Sequence, residues 1–378
     1  MSPTIAVIGA GIAGASAAYW ISRQAPVIVL ERESQPGYHA TGRSAAMYVA
    51  TYGPPTVRAL TAASRAFYQA PPPGFCDYPL LTPRGVLHIG RAGHAARLAA
   101  TLAAARELGA AAEPMARETA RERVPVLRDE WLEAEPVYEP GAEDMDVHAL
   151  HQGYLKGIRR HGGSVRCDAE VVGLQQAGRG WRIVLGSGET LAADIVVNAA
   201  GAWCDRLARL AGVAPLGLVP KRRSVLVFAP PPHLAQHLHT WPAVIAADES
   251  FYFKPDAGMI LASPANADAT GPQDVQPEEL DIALAIQRIE EATTLTIRRP
   301  ARTWAGLRSF VADGEPVIGF DPDAPGFFWL AGQGGYGIQS ADGAARAAAA
   351  LVLGQALPDD LVQRGVTPQR LSPARLRG

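Results

Sequence analysis

Cysteine is scarce in this sequence. Cys76, Cys167 and Cys204 are its three cysteines, and no two of them have C-x-x-C spacing. An odd number without that spacing excludes a disulfide framework and is typical of reduced thiols in a cytosolic protein. A surplus of basic residues is missing as well, because the formal net charge is −2. A nucleic-acid partner is therefore not expected.

Long apolar runs are also rare. The main candidate, residues 5–20, reads IAVIGAGIAGASAAYW; no Lys or Arg precedes it and three glycines interrupt it. A secretion signal begins with a basic segment, and a membrane-spanning helix needs about 20 predominantly apolar residues. We therefore expect a soluble protein without a transmembrane segment. Its expected location is the cytoplasm, and a peripheral position on a membrane is the alternative.

Patterns for metal binding and for a serine nucleophile are missing too. His148 and His151 are three residues apart and His237 and His239 are two apart, but neither pair has a Cys or acidic partner at ligand spacing. A metal site is therefore not expected. The G-x-S-x-G pattern of a strand-to-helix nucleophile turn is absent from the chain.

A nucleotide-binding pattern is present at the beginning of the chain. The apolar residues 5–8 predict a buried strand, residues 14–23 a helix, and residues 27–30 a second strand that ends at Glu31. The turn between the first strand and the helix has the spacing G-x-G-x-x-G, formed by Gly9, Gly11 and Gly14. These glycines permit a tight turn, close approach of a pyrophosphate and close packing of helix on strand, while the acid accepts from ribose hydroxyls. The pattern predicts a dinucleotide site.

Two later segments favour FAD over NAD as that dinucleotide. Residues 38–46 (YHATGRSAA) mix small side chains with one Arg, as the lining for a pyrophosphate and a flavin edge requires. Residues 333–337 (QGGYG) precede an Ala-rich helix, and a second glycine-rich helix start can present N–H groups to an anionic flavin. Each segment alone is also compatible with an ordinary loop, but together they favour a flavin.

The remaining pattern predicts an α/β fold in which a Rossmann-type FAD-binding domain is interleaved with a β-sheet-based α+β substrate domain. Nucleotide-type segments lie at the start, middle and end of the chain, with β-rich stretches between them. We assign residues 1–46, 146–217 and 312–378 to the FAD-binding domain, and residues 47–145 and 218–311 to the substrate-binding domain. The predicted helices are 56–69, 94–112, 146–162, 277–292 and 338–353, with one short helix inside the loop 36–55. The predicted later strands are 165–174, 181–185, 194–198, 224–228, 250–254 and 327–331.

At this point the sequence resembles the D-amino-acid oxidase/dehydrogenase superfamily of FAD flavoproteins, and within it the bacterial FAD-dependent D-arginine dehydrogenases. The resemblance extends along nearly the whole chain. Its most specific segments include LERESQPGYHATGRSAA (30–46), VNAAGAWCD (197–205), DESFYFKPDAGM (248–259), TWAGLRSFVADG (303–314) and QGGYGIQ (333–339).

The resemblance implies a non-covalently bound FAD. The motif and the resemblance together predict these cofactor-binding residues: Gly9, Gly11, Ala13, Gly14, Glu31, Arg32, Thr41, Gly42, Arg43, Ser44, Ala45, Ala46, Val171, Gly201, Gly332, Gly334, Gly335, Tyr336, Gly337 and Ile338. Val171 is expected at the adenine end, and the segment from Gly332 at the flavin ring.

The resemblance also implies a substrate site. Tyr52 and Tyr252 would face the substrate, Arg308 would hold its carboxylate, and one arginine of the Arg222-Arg223 pair would assist. A carboxylate is well matched by a bidentate arginine. Without the resemblance, a surface position for Arg308 and a core position for Tyr252 are the simpler interpretations.

Three departures from the family pattern lie in the predicted substrate pocket, which also includes Gly335. Met47 replaces a histidine at the flavin face, Val49 replaces a threonine, and Val86 replaces the glutamate that receives the guanidinium of D-arginine. The changes make the pocket less polar, so we expect a preference for neutral or apolar D-amino acids over D-arginine. Glu249 or Asp248 are alternative sources of the missing carboxylate.

The implied reaction is oxidative deamination of a D-amino acid by hydride transfer to flavin N5, with Tyr52 or a bound water handling the proton. Another small amine, such as glycine, sarcosine or an opine, and a catalytically idle flavoprotein subunit are the alternatives. The electron acceptor, quinone-like or oxygen, and the oligomeric state stay open. Residues 47–55 are interpreted either as a lid that carries Tyr52 or as a static loop.

Overall fold

A computed structural model describes residues 3–377. Its strands are β1 (Ile5–Ile8), β2 (Val27–Leu30), β3 (Met47–Tyr48), β4 (Leu81–Pro83), β5 (Val86–Ile89), β6 (Glu113–Pro114), β7 (Val137–Glu139), β8 (Glu143–Met145), β9 (Ser164–Arg166), β10 (Val171–Ala177), β11 (Gly180–Leu185), β12 (Thr190–Ala193), β13 (Ile195–Asn198), β14 (Val219–Phe228), β15 (Ala243–Ala246), β16 (Tyr252–Asp256), β17 (Met259–Ser263), β18 (Asp268–Ala269), β19 (Arg302–Phe310), β20 (Val317–Phe320) and β21 (Phe327–Ala331). Its α-helices are α1 (Ile12–Ser22), α2 (Pro55–Gln69), α3 (Ala95–Glu107), α4 (Arg117–Arg123), α5 (Val147–Arg160), α6 (Cys204–Leu210), α7 (Glu279–Ala292), α8 (Ala341–Val352), α9 (Asp359–Gln363) and α10 (Pro368–Leu371).

A six-stranded sheet with the order β20-β21-β13-β1-β2-β9 organises the nucleotide-binding half. The pairs from β21 to β9 are parallel, and β20 is an antiparallel edge strand. Ile5 and Val7 pack in a core with α1, α5 and α8, whereas Ala6 and Ile8 pack in the core on the opposite face. Burial on both faces explains why these strands are continuous apolar runs rather than alternating ones.

A second, nine-stranded sheet organises the other half, with the order β18-β14-β17-β16-β15-β5-β7-β6 and with β19 paired to β14. Residues 219–227 pair antiparallel with residues 302–310 over nine positions. One face of this sheet packs against α4 and α7 in a large apolar core. The other face is therefore available to form a cavity.

The predicted α/β fold class, with a Rossmann-type sheet interleaved with a second sheet, is confirmed. The six-stranded sheet draws its strands from residues 5–30, 164–198 and 317–331, and the nine-stranded sheet draws its strands from residues 86–139 and 219–310. The chain passes back and forth between the two sheets. The domain boundaries themselves stay a prediction.

Several predicted elements differ from the structure. The strand predicted over 165–174 is two strands in different sheets, β9 and β10, because the chain turns between them at Asp168 with φ +51°. The helix predicted from 338 begins at Ala341, since residues 337–340 form turns. The short helix predicted within 36–55 is wrong: this segment contains turns and β3, and α2 begins only at Pro55.

Two features are absent from the part of the chain that the structure describes. Between residues 3 and 377, no helix is long and apolar enough to cross a membrane. In the same range, no group of three or more His, Cys, Asp or Glu side chains is placed to hold a metal ion.

A buried carboxylate connects three helices of the nucleotide-binding half. Asp342, in the first turn of α8, is 1% exposed and accepts from Trp20 Nε1 of α1 at 2.9 Å. Its backbone N–H donates to the hydroxyl of Tyr68 on α2. Arg346 pairs with Asp342 at 2.9 Å and also with Asp360 at 2.8 Å. Burial is the main cause that raises the pKa of Asp342 to about 6, although Arg346 opposes it.

We predict that Asp342→Asn changes how stability depends on pH. The pKa of Asp342 is higher in the folded state than in the unfolded chain, so the folded state binds more protons. Ionisation of Asp342 therefore lowers the stability of the fold as the pH rises from about 4 to 7. The difference corresponds to up to about 3 kcal/mol in the free energy of unfolding. Urea unfolding at pH 4, 5.5 and 7 should show that the variant gains stability relative to wild type as the pH rises.

Asp360→Asn is the matched control, because Arg346 lowers the pKa of Asp360. Its carboxylate contributes stability at neutral pH that is lost on acidification, so this variant should lose stability relative to wild type as the pH rises. Identical pH dependence in wild type and Asp342→Asn would contradict the prediction.

Candidate active site

A cavity of about 930 Å³ lies between the two sheets. The carboxyl ends of β1, β2 and β13 line one side, through residues 8–9, 30–32 and 199–203. Residues of β14, β15, β16 and β19 line the other side. Open α/β sheets bind ligands at the carboxyl ends of their strands, and this volume is within the range of cofactor pockets.

The turn after β1 has the geometry that its glycines predict. Gly9 has φ +103°, and a Cβ there would lie 2.5 Å from the carbonyl oxygen of Ala199. A Cβ on Gly14 would lie 1.9 Å from the carbonyl oxygen of Gly9. Both positions therefore require glycine: neither has room for a Cβ, and Gly9 in addition has a positive φ.

The first turn of α1 is open to an anion. It contains no acidic residue, and no side chain of Gly11 can cap it. The N–H of Ile12 donates to Thr41 Oγ1 at 2.9 Å, and the N–H of Ala10 donates to Glu31 Oε2 at 2.8 Å. Partners from the 40–47 loop and from the residue after β2 thus hold the turn while the helix N-terminus faces the cavity, as a bound pyrophosphate requires.

His151 supports this turn from behind, a role that the sequence did not reveal. Its Nε2 lies 2.8 Å from the carbonyl oxygen of Ala10, which can only accept, so Nε2 donates. The side chain is 4% exposed, and burial lowers the pKa of His151. The neutral ring is thus a fixed donor rather than a metal ligand. A polar residue on the buried face of α5, beside Leu150 and Tyr154, was the available signal.

Most of the predicted cofactor-binding residues line the cavity. Those that do are Gly9, Gly11, Ala13, Glu31, Arg32, Thr41, Arg43, Ser44, Ala45, Ala46, Val171, Gly201, Gly334, Gly335, Tyr336, Gly337 and Ile338. Gly14, Gly42 and Gly332 do not line it. Gly14 packs against Gly9, and Gly42 closes a tight turn by donating its N–H to the carbonyl oxygen of Gly37 at 2.8 Å.

The two arginines of the cofactor region are engaged with the protein. Arg43 donates to the carbonyl oxygens of Val275 and Ala305 at 3.0 and 3.2 Å, which ties the loop after β2 to β19. Arg32 lies over the ring of Trp203, with 4.6 Å from its Cζ to the ring centroid. Trp203 was not among the predicted site residues.

The period-two alternation of the nine-stranded sheet contributes to which side chains face the cavity. Phe251 and Phe253 pack in the core, where Phe251 also borders the cavity, and Tyr252 between them lines the cavity. On β19, Gly306 and Arg308 line the cavity, with Gly306 opposite Arg223 of β14. Successive side chains on a strand point to opposite faces, which is why these residues share one face.

Arg308 and Arg223 are cations without a carboxylate partner in the cavity. Between residues 3 and 377, neither forms an ion pair; each donates to the carbonyl oxygen of Asn266, at 3.5 Å from Arg308 and 2.8 Å from Arg223. Arg308 Nε is buried without any hydrogen-bond partner in this part of the chain. Burial, and then Arg223, lower the pKa of Arg308, yet an arginine remains charged at neutral pH. Two such guanidinium groups attract an anionic ligand.

Arg222 does not belong to the cavity, which corrects its prediction as a site residue. Its side chain pairs with Asp281 at 2.8 Å, with Glu278, and with Asp268 at 3.5 Å. Consecutive strand residues face opposite ways, so the pair Arg222-Arg223 can supply only one arginine to the site. That arginine is Arg223.

Two tyrosines and a glycine lie beside Arg308. The rings of Tyr52 and Tyr336 meet edge to face with 4.7 Å between centroids. Gly335 leaves room for this group, because a Cβ there would lie 3.1 Å from Arg308 Nη1 and 3.4 Å from the Tyr52 hydroxyl oxygen. Burial is the main cause that raises the pKa of Tyr336 to about 12.

The segment that carries Tyr52 is held by Gln339. The Gln339 side chain accepts from the N–H of Val49 and donates to the carbonyl oxygen of Tyr52, both at 3.1 Å. Gln339 itself is buried. These bonds favour the static-loop interpretation of residues 47–55 over a free lid.

Val86 is not part of the cavity surface, which corrects its prediction as a pocket residue. It is fully buried, in a small apolar cluster with Val49, Ala142 and Ala243. Met47 and Val49 do line the cavity. Two residues beyond Val86 on the same strand, His88 lines the cavity instead, a residue that was missed.

The rim of the cavity contains other residues that were not predicted. Arg97, Ala100, Thr101 and Ala104 line it from α3. Glu249, one of the alternative carboxylates, also lines the cavity, whereas Asp248 does not and instead accepts from Ser250. Helix α3 therefore forms part of the entrance.

Comparison with known proteins identifies the family. A family model described as FAD dependent oxidoreductase matches residues 4–351. The chain belongs to this family. The glycine turn, the open helix N-terminus and the cavity of this FAD dependent oxidoreductase fit that cofactor, so the predicted FAD is confirmed.

Curated relatives of this oxidoreductase are distant. The uncharacterized oxidoreductase YurR of Bacillus subtilis is 26% identical over 271 residues, which cover 68% of this chain and 66% of YurR. The tRNA 5-methylaminomethyl-2-thiouridine biosynthesis bifunctional protein MnmC of Thiobacillus denitrificans is 27% identical over 387 aligned positions, covering 98% of this chain and 60% of that protein. The chain thus spans less than two thirds of the length of each of these relatives.

Solved structures share the fold. Glycine oxidase from Geobacillus kaustophilus has a TM-score of 0.79 at 23% identity, over 94% of this chain and 96% of that one. Iminodiacetate oxidase from Chelativorans sp. BNC1 has a TM-score of 0.79 at 22% identity, over 98% of both chains. Identities this low support the common fold alone. The closer resemblance of this oxidoreductase to D-arginine dehydrogenases stays a prediction.

Proposed function

We propose that this FAD dependent oxidoreductase catalyses the oxidative deamination of D-amino acids. The proposal rests on two arginines, Arg308 and Arg223, which lie on the cavity face of the large sheet and have no carboxylate partner between residues 3 and 377. Tyr52 and Tyr252 line the same part of the cavity. A substrate carboxylate matches this arrangement because arginine binds carboxylates in a bidentate manner.

The protein's part in the reaction is to bind and orient the substrate. Arg308 holds the carboxylate, Arg223 adds a second positive charge, and the hydroxyl group of Tyr252 donates to the carboxylate. The substrate amine loses a proton and the Cα–H bond breaks with loss of a hydride. Bound FAD supplies the hydride acceptor, its N5 atom. The imino acid then reacts with water to give a 2-oxo acid and ammonia.

Proton handling falls to Tyr52 or a bound water. Met47, at the position that a histidine occupies in the resembling family, offers no base. Tyr336 is also unsuitable as a base, because burial raises its pKa to about 12 and its hydroxyl group therefore stays protonated at neutral pH. The substrate amine is therefore expected either to bind in its neutral form or to lose its proton near Tyr52.

The proposed side-chain preference is for neutral or apolar substrates over D-arginine. Met47, Val49 and Ile245 give this end of the cavity an apolar lining. Glu249 lies at the exposed rim rather than behind this lining. A guanidinium here would lose its water without gaining a direct carboxylate partner, which costs roughly 10- to 100-fold in affinity.

A second candidate is the oxidation of another small amine that carries a carboxylate, such as glycine, sarcosine or an opine. The arginine pair would serve such substrates equally well, and the structural relatives include a glycine oxidase and an iminodiacetate oxidase. A catalytically idle flavoprotein subunit is the remaining alternative. The reduced flavin would pass its electrons to a quinone-like compound or to oxygen.

We predict that D-amino acids bleach the flavin absorbance of the holoenzyme near 450 nm under anaerobic conditions. D-leucine, D-methionine and D-phenylalanine should do so with higher kcat/KM than D-arginine, and their L-enantiomers should not react. Turnover with oxygen and with an artificial dye would then identify the class of acceptor. Bleaching by glycine or sarcosine alone would favour the second candidate, and no bleaching at all would favour the idle subunit.

We predict that Arg308→Lys lowers kcat/KM for the best D-amino acid by roughly 10- to 100-fold, mainly through KM, because lysine keeps the charge but loses the bidentate geometry. Arg222→Lys is the matched control: it keeps the charge opposite Asp281 and lies outside the cavity, so kcat/KM per bound FAD should change less than about threefold. Equal losses in the two variants would contradict the assignment of Arg308.

We predict that kcat/KM rises with pH through one ionisation, since the amine must become neutral, and that Tyr52→Phe changes this profile. Tyr336→Phe removes the neighbouring hydroxyl, which stays protonated in this range, and should leave the shape of the profile unchanged. Steady-state rates from pH 6 to 10 test both variants. A profile that Tyr52→Phe leaves unaltered would assign proton handling to water.

A further inference from the structure

A buried polar cluster lies beside the cavity, two strands away from Tyr252. Glu139 of β7 is 2% exposed. Its carboxylate accepts from Thr51 Oγ1 at 2.7 Å, and its Oε1 lies 2.7 Å from His88 Nε2. Thr51 and His88 line the cavity, and Glu139 lies behind them. We call these three residues the Glu139 cluster.

The position of the cluster follows from strand register. His88 on β5 is paired with Ile245 on β15, which is paired with Tyr252 on β16. All three line the cavity, so they form one row across the sheet. His88 and Tyr252 are two strands apart, about 10 Å. A substrate held near Tyr252 and Arg308 reaches His88 only with an extended side chain.

The hydrogen bonds of the cluster determine what His88 offers to a ligand. A carboxylate only accepts, so His88 Nε2 carries a hydrogen and donates to Glu139 in either protonation state of the ring. No bond from Nδ1 is formed within the described range 3–377. This nitrogen accepts when the ring is neutral and donates when the ring is charged.

A neutral group that both donates and accepts is complementary to both states. A carboxamide is such a group: its NH₂ donates to a neutral ring, and its carbonyl oxygen accepts from a charged ring. A guanidinium or ammonium can only donate and is repelled by the charged ring. An aliphatic side chain leaves Nδ1 without a partner in a site from which it excludes water, which is unfavourable.

We propose that the Glu139 cluster is a recognition site for the end of the substrate side chain, and that it selects extended, neutral polar side chains of the carboxamide class. The proposal rests on the proposed oxidation of D-amino acids and refines its substrate class. His88 contacts the side chain, while Glu139 is a positioning residue that acts through His88. Met47, Val49 and Ile245 contact the aliphatic part of the same side chain.

The test compares kcat/KM of the holoenzyme for D-glutamine, D-methionine, D-glutamate and D-arginine. D-methionine has a similar length to D-glutamine but no N–H donor, and it serves as the internal reference. Wild type should prefer D-glutamine to the other three. His88→Leu should lower the ratio of D-glutamine to D-methionine by roughly 10-fold, because a buried hydrogen bond is lost.

Two further variants separate recognition from general damage. His94→Leu removes another histidine near an acid, 3.8 Å from Asp248, that does not line the cavity, and it should leave the ratio unchanged. Glu139→Gln should lower the ratio less than His88→Leu, since it frees the ring to turn while keeping a side chain of the same size. FAD content and the rate with D-methionine report whether each variant is intact.

The outcomes distinguish this proposal from the proposed function. If D-amino acids bleach the flavin but wild type uses D-methionine better than D-glutamine, or His88→Leu leaves the ratio unchanged, the recognition site is wrong and the oxidation stands. The preference in wild type decides the matter even if His88→Leu loses FAD. If no D-amino acid reacts, the proposed function itself is wrong.

Discussion

The contact between Gly14 of α1 and the carbonyl oxygen of Gly9 is the constraint on which the rest of the structure depends. A single methyl group at Gly14 would lie 1.9 Å from that oxygen. Only this closeness lets the N-terminus of α1 approach the ends of β1 and β13, where the cavity begins. Thr41, Glu31 and His151 then hold the turn from three other segments of the chain. The cofactor-binding turn is therefore stabilised by segments that are far apart in sequence.

The second half of the site depends on the two faces of the nine-stranded sheet. One face must pack against α4 and α7 to bury its apolar residues. Strand alternation then places His88, Arg223 and Tyr252 on the cavity side of the sheet. The same rule that places Arg223 in the cavity sends Arg222 to the acids outside it. Which of the two adjacent arginines faces the cavity is thus a consequence of how the opposite face of the sheet packs in the core.

The fold could be predicted in large part from the sequence because its signals are local. The first strand, the glycine turn and the helix lie within residues 5–22 and need no partner to be recognised. The division of residues 165–174 into strands of two sheets could not be predicted, since an apolar run does not specify the sheet it joins. The late start of α8 was also missed: residues 337–340 form turns before the helix begins at Ala341.

The sequence by itself determined the glycine turn and the α/β class, because spacing and alternation are properties of a short stretch of chain. The residues proposed to bind a carboxylate were implied only by the resemblance to a known family. Only the tertiary structure decided which of two adjacent arginines faces the cavity and that Val86 is packed beneath its surface. It also brought Thr51, His88 and Glu139 together from three segments. These outcomes depend on strand register and on how two sheets meet, and no local pattern of residues contains that information.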